Sequence, residues 1–328
     1  MSSQTAAGSG RRNVRHNPGC SLDLDRISST RVNLSAVERR VATLAGRRSI
    51  KAQWQAAWLL RAITLIDLTT LSGDDTCNRV VRLVAKALKP VRSDILDSLG
   101  VAPASIRVGA VCVYHGMAEC ALKARGSSDL PVAVVSTGFP AGLSPFNMRC
   151  EEARRSVELG CDEVDIVISR RHVLAGNWQA LYEEVSAFRE ACGNTHMKAI
   201  LATGELGTLR NVAKASHVCM MAGADFIKTS TGKESVNATL PVALVMLRAI
   251  REHHHATGVA VGFKPAGGIS RAKQALLYMT LVKEELGRAW LAPERFRFGA
   301  SSLLTDIERQ LEHHATGRYS AGFRHAMG

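Results

Sequence analysis

Two lysines stand where apolar strands should end. In "ADFIKTSTGK" (224–233), Ala224, Phe226 and Ile227 form an apolar run and Lys228 follows directly; in "VAVGFKP" (259–265), Lys264 closes a similar run. A lysine is a nucleophile only when neutral, and burial or a second ammonium close by lowers its pKa towards working pH. If the two strands are neighbours, each lysine can depress the other. A carboxylate is then needed to manage protons, and Asp165 in "EVDIV" is the candidate. Val164, Ile166 and Ile168 alternate along that strand, so Asp165 and Val167 share its other face. This set permits imine formation with a carbonyl substrate, followed by C–C cleavage or formation through an enamine.

Three short segments add a place for a phosphate. "KPAGGI" (264–269) has paired glycines before a helix start, where bare backbone N–H groups can approach an anion. "FGASS" (298–302) runs into the helical "LLTDIERQL", and "TGK" (231–233) supplies one more glycine and a lysine. A phosphorylated aldehyde or sugar is the substrate class these imply. Blander readings stand beside this one. A lone strand-end lysine is usually a snorkelling surface residue, and a Gly-Gly pair is usually a turn. Asp67 suits a capping role as well as a pocket. Cys112 reads as a small core-facing residue, because no histidine base is assigned near it. "HHH" (253–255) and "HH" (313–314) fall near helix ends and read as solvated caps, not metal ligands. Two lysines and an inward-facing aspartate together outweigh these, because perturbed groups cluster at sites.

Such residues need a scaffold that brings strand ends together. Eight apolar segments are candidate strands: 63–69, 107–114, 131–137, 163–169, 197–203, 224–230, 259–265 and 295–301. Between them lie stretches of 3.6-residue periodicity. In 177–192, for example, Trp178, Leu181, Val185, Phe188 and Cys192 share a face. Ser270 is a candidate N-cap for the helix that follows it, and Asn237 for the helix carrying Pro241. Eight strands alternating with helices make an α/β (β/α)8 TIM barrel. A doubly wound open sheet is the rival, but no dinucleotide fingerprint accompanies it. In the barrel, polar chemistry should gather at the strand C-termini. Asp67, Cys112, Asp165, Thr203 with Glu205, Lys228, Lys264 and Ser301 all fall there. Barrel phosphate sites are commonly built from the loops after strands seven and eight, where the glycine pair and "FGASS" lie.

Composition bounds the rest. With 328 residues and 46% hydrophobic content, the chain can bury a large core, and no apolar run approaches the roughly 18–20 residues that span a bilayer. Met1–Gly10 is small and polar, with no secretory core behind it. The eight cysteines lack a CxxC pair and read as reduced thiols in a cytosolic protein, with neither a disulfide framework nor a metal site. The net charge is +13, but residues 1–61 hold eleven Lys/Arg against Asp23, Asp25 and Glu38, so most of the excess lies there. The expected organisation is a basic extension over 1–50, disordered or partly helical, a barrel over 51–315 and a flexible tail over 316–328. The Arg-rich opening also suits an organelle transit peptide. A basic-tailed barrel that binds nucleic acid is the non-enzymatic alternative. Against it, no aromatic precedes Trp54 to form a stacking platform.

The motifs "IDLTTL", "EVDIV", "ATGEL", "DFIKTSTGK", "GFKPAGG" and "RFGASSLL" resemble those of the deoxyribose-phosphate aldolases, which are class I Schiff-base aldolases. The resemblance runs from about residue 62 to 312, and is to the longer, animal-type branch. It implies reversible cleavage of 2-deoxy-D-ribose 5-phosphate to D-glyceraldehyde 3-phosphate and acetaldehyde, with no metal or cofactor. Lys228 matches the imine-forming lysine, Lys264 the lysine that perturbs it and relays protons, and Asp165 the proton-shuttling aspartate. Asp67, Thr69, Cys112 and Thr231 match the substrate pocket. Gly232, Lys233, Gly267, Gly268, Gly299, Ser301 and Ser302 match the phosphate end. A homodimer is the family expectation, and a family tail can fold over the phosphate, which makes Tyr319 a candidate. Another imine-forming phosphosugar lyase, or a transaldolase-like enzyme, is the nearest alternative.

Overall fold

A computed structural model describes residues 16–47 and 50–325. Eight short strands carry the apolar segments: β1 (Ile66–Thr69), β2 (Ala110–Tyr114), β3 (Val132–Ser136), β4 (Glu163–Val167), β5 (His196–Ile200), β6 (Phe226–Lys228), β7 (Gly262–Lys264) and β8 (Phe298–Ala300). All pair in parallel, in sequence order, with β8 returning to β1. Bridges from Phe263 to Phe296 and from Ala266 to Gly299 join β7 to the β8 segment and close the barrel. Each strand is shorter than its apolar run: Ile63 and Thr64 of the first run end the helix before β1, and the ends of the other runs turn into loops.

Four helices precede β1: α1 (Leu24–Ser29), α2 (Leu34–Ala42), α3 (Leu44–Arg47) and α4 (Ala52–Thr64). Next come α5 (Cys77–Leu88), α6 (Ser93–Ser98), α7 (Ala118–Arg125), α8 (Phe146–Glu158), α9 (Arg170–Leu174) and α10 (Trp178–Cys192). The last are α11 (Leu209–Met221), α12 (Leu240–Thr257), α13 (Ala272–Leu286) and α14 (Ser302–Thr316). Strands with helices outside and side chains inside are buried on both faces, hence their Val/Ile/Ala content. α10 buries Leu181, Val185, Phe188 and Cys192, as its periodicity predicts.

Two caps move. Thr239, not Asn237, caps α12 by accepting from the Val242 N–H, and Pro241 sits in the first turn where its missing donor costs nothing. Arg271, not Ser270, occupies the N-cap of α13; the Gln274 side chain accepts from the N–H of both Ser270 and Arg271. The cysteine reading also changes. Cys77 and Cys120 form a disulfide with their Cα atoms 5.5 Å apart. The packing of α5 against α7 brings together residues 43 apart in sequence. The other six cysteines are free.

The described part of the extension is helical and packs on the barrel, burying Ile27, Val37 and Leu44. It begins with a clasp. Asn17 donates through Nδ2 to the carbonyls of Met220 (2.7 Å) and Ala224 (2.9 Å), and its N–H reaches Asp225. The opening residues 1–15 lie outside the described residues. At the other end, His325 is buried beside Glu308 and its Nε2 donates to Glu312 Oε2 at 2.7 Å, which ties the tail to α14. Tyr319 is exposed and rests on His313. The histidine runs divide: His255 is exposed as a solvated cap would be, whereas His253 is buried against the core, 1% exposed.

Candidate active site

Strand register places the two lysines side by side. Lys228 pairs with Lys264 across β6 and β7, and Asp165 pairs with Lys198 across β4 and β5. In a closed barrel, side chains of one parity point into the lumen. Asp165 Oδ2 lies 2.8 Å from both Lys228 Nζ and Lys264 Nζ, while Oδ1 accepts from Lys198 Nζ at 3.0 Å. Lys264 is also ion-paired with Asp67. Arg297 links Asp67 to Glu163, and Glu163 in turn accepts from Lys198. Four cations and three carboxylates thus form one buried chain across the lumen.

Charge in that chain sets the pKa directions. Burial works to raise Asp165, but Lys198, Lys228 and Lys264 outweigh it and hold the carboxyl well below its usual range. Burial likewise opposes the charge on Lys264, yet Asp165 and Asp67 on either side hold it above its ordinary value. This overturns one expectation: Lys264 is not depressed in the folded protein. Lys264 has two carboxylate partners, and attraction to them exceeds repulsion from its neighbour. Asp67, in mid-strand, is no helix cap; Lys264 and Arg297 keep it ionised against its burial. Cys112 is buried with Ala133 and Val135, and burial pushes its thiol up.

Above the chain opens a cavity of about 810 Å3. Lys228 enters its wall, and the other lining residues include Thr69, Thr231, Gly232, Lys233, Gly267, Gly268, Gly299, Ser301 and Ser302. Asp67, Cys112, Asp165 and Lys264 are fully buried and do not line it. Gly299 is required by packing, since a Cβ there would stand 2.7 Å from that of Ala266 and 3.3 Å from Lys264 Cε. Gly267 has φ +80°, which favours glycine. The Thr231 hydroxyl is committed to Glu234, and so is the Gly232 N–H. That backbone donor, expected to meet a phosphate, is therefore taken by the protein's own carboxylate. Among the described residues none beyond Arg309 lines the cavity, and Tyr319 is not in its wall.

Residues 61–306 match the family model for the DeoC/LacD family aldolases. The chain belongs to this family. Deoxyribose-phosphate aldolase from Mus musculus is 60% identical over 93% of this chain and 97% of its own length. The Homo sapiens deoxyribose-phosphate aldolase is 58% identical with the same coverage. A solved deoxyribose phosphate aldolase from Aeropyrum pernix, described as tetrameric, aligns with TM-score 0.57 at 21% identity, covering 82% of this chain and all of that one. That last likeness bears on the fold of the DeoC/LacD barrel alone. Against this family frame, sequence reasoning missed Lys198, Glu163 and Arg297. A signal existed for two of them. Glu163 has the parity of Asp165 on β4, and Lys198 stands opposite Asp165 on β5. Arg297 lies just before β8, where nothing in the sequence marks its direction.

Proposed function

We propose that this DeoC/LacD family member is a class I deoxyribose-phosphate aldolase in which Lys228 forms the imine. The observation that carries the reading is the position of Lys228: one face open to the cavity, its Nζ 2.8 Å from a carboxylate shared with Lys264. Lys264, Lys198 and Arg297 each touch two carboxylates, whereas Lys228 touches one among the described residues. With four cations against three anions, loss of one proton balances the cluster.

In this mechanism the neutral Lys228 amine attacks C1 of the open-chain sugar, and water leaves to give the iminium. The C3 hydroxyl loses its proton and the C2–C3 bond breaks. D-Glyceraldehyde 3-phosphate departs and an enamine remains on Lys228. Protonation at C2 and hydrolysis release acetaldehyde and the free amine. Asp165 enters as a carboxylate within reach of both lysines, suited to pass a proton between them. Lys264 enters as the cation that keeps Lys228 discharged and supplies protons. Asp67, Thr69, Cys112 and Thr231 shape the sugar pocket. Lys233 and the segments at Gly267–Gly268, Gly299 and Ser301–Ser302 hold the phosphate, the last at the amino end of α14. Assembly as a homodimer and a cytosolic location belong to the same proposal; no helix among the described residues is long and apolar enough to cross a membrane.

The decisive measurement is covalent. Acetaldehyde with borohydride should leave a reduced two-carbon adduct on the peptide containing Lys228, and Lys228→Met should abolish it. An adduct of equal yield in Lys228→Met would refute the assignment.

A further inference from the structure

The loop after β6 carries a carboxylate that the mechanism does not use. Glu234 is buried, and both its oxygens turn back onto its own loop. Its Oε1 accepts from the Thr231 N–H at 3.0 Å; Oε2 accepts from the Thr231 hydroxyl at 2.8 Å and the Gly232 N–H at 3.1 Å. The Lys233 N–H closes the turn by donating to Thr231 Oγ1 at 3.1 Å. Gly232 has φ +87°, so successive N–H groups converge into a concavity of the kind that binds anions. A side chain of the protein already fills it.

Two facts separate a brace from a competitor. Thr231, Gly232 and Lys233 line the cavity while Glu234 does not, so its carboxylate grips the loop from behind, out of the substrate's path. Glu234 also belongs to a wider tie. Arg170 Nη2 lies 3.7 Å from Glu234 Oε1, its Nε lies 2.7 Å from Glu205, and it donates to the carbonyls of Pro140 and Ala141. One guanidinium thus joins the loops that follow β3, β5 and β6. The loop's exposed cation, Lys233, has no carboxylate partner among the described residues. A lysine carries considerable rotamer entropy, so a fixed backbone beneath it lowers the cost of ordering it on an anion.

We propose that Glu234 is a positioning residue for the substrate's phosphate: by occupying the Thr231 and Gly232 amides it fixes the turn that aims Lys233, so this loop meets the anion through the Lys233 ammonium and not through its backbone. The proposal deepens the aldolase reading above and rests on it for the identity of the substrate. It makes Glu234 a determinant of phosphorylated over unphosphorylated sugars.

The test uses the full chain and two readouts. In steady-state cleavage, Glu234→Ala should raise KM for deoxyribose 5-phosphate about tenfold with kcat within twofold. The efficiency on unphosphorylated 2-deoxyribose should stay within twofold. Glu234→Gln, which keeps an acceptor oxygen, should recover most of the loss. In calorimetry with inorganic phosphate, Glu234→Ala should weaken binding by a similar factor, and by much less when Lys233→Met is already present. Parallel losses on both sugars would reduce Glu234 to a stabilising residue and overturn the proposal, as would unchanged phosphate affinity. If the wild-type protein cleaves no deoxyribose 5-phosphate yet Glu234→Ala still weakens phosphate binding through Lys233, the substrate reading fails and the positioning role stands.

Discussion

At the residue scale, the chemistry rests on a count of buried charges. Lys198, Lys228, Lys264 and Arg297 face Asp67, Glu163 and Asp165, and water does not screen them. An isolated lysine in that lumen would lose its proton to desolvation; a lysine between two carboxylates keeps it. Lys264→Leu tests this directly. Asp67 retains Arg297, and Asp165 retains Lys198 and Lys228, so the variant should stay folded. Cleavage at neutral pH should fall at least about 10²-fold, because the cation that Asp165 and Asp67 hold beside the imine-forming lysine is gone. Steady-state kinetics on the folded variant checks this; activity within tenfold of the wild type would show that Lys264 takes no part in proton transfer.

At the element scale, periodicity was a good guide to which segments are strands and helices, and a poorer one to their ends. Every apolar run holds its strand except that β5 starts one residue early, at His196, because burial on both faces demands apolar residues there. The caps move by one or two residues, because the hydrogen bonds of the Thr239 and Gln274 side chains decide where the helix begins. His253 shows what neighbouring elements add. On α12 it is enclosed with Arg26 of α1 and His217 of α11 nearby, and neither ring nitrogen has a hydrogen-bond partner among the described residues. Burial, and then the charges of Arg26, His217 and His254, depress its pKa to about 4. The unfolded chain, titrating near the ordinary value of about 6.5, therefore binds a proton that the folded one refuses. Stability is complete above that value and is lost as pH falls towards 4, at up to roughly 1.4 kcal/mol per pH unit. His253→Phe should remove this contribution, so the drop in urea midpoint between pH 7 and pH 5 should shrink. An identical drop in the two proteins would assign the acid sensitivity elsewhere.

At the scale of the whole molecule, the helical extension and the barrel form one packed body among the described residues. Asn17 is the joint. Its side chain satisfies two carbonyls, at Met220 near the end of α11 and at Ala224 just before β6. Both lie at the amino end of β6, opposite the mouth. Asn17→Ala should lower stability by about 1–3 kcal/mol, the usual cost of leaving buried polar groups unpaired, while kcat and KM change little. Chemical denaturation with parallel kinetics checks both halves; a loss of activity at unchanged stability would contradict the geometry.

The sequence by itself determined the eightfold alternation, the inward parity of Asp165 and the placing of Lys228 and Lys264 at strand ends. Local pattern suffices there, since periods of 2 and 3.6 residues follow from backbone geometry alone. Only the tertiary structure decided how the charges are partnered. Barrel closure brings Arg297 from beside the last strand to Asp67 on the first and Glu163 on the fourth. It turns Lys264 from a neighbour that should titrate easily into a cation held by two carboxylates, while the packing of α5 on α7 joins Cys77 to Cys120. The same holds for the "TGK" loop, whose glycine offers an anion site on paper that Glu234 fills from behind. Electrostatics and hydrogen bonding depend on distances across the lumen and between loops, and sequence spacing does not encode those distances.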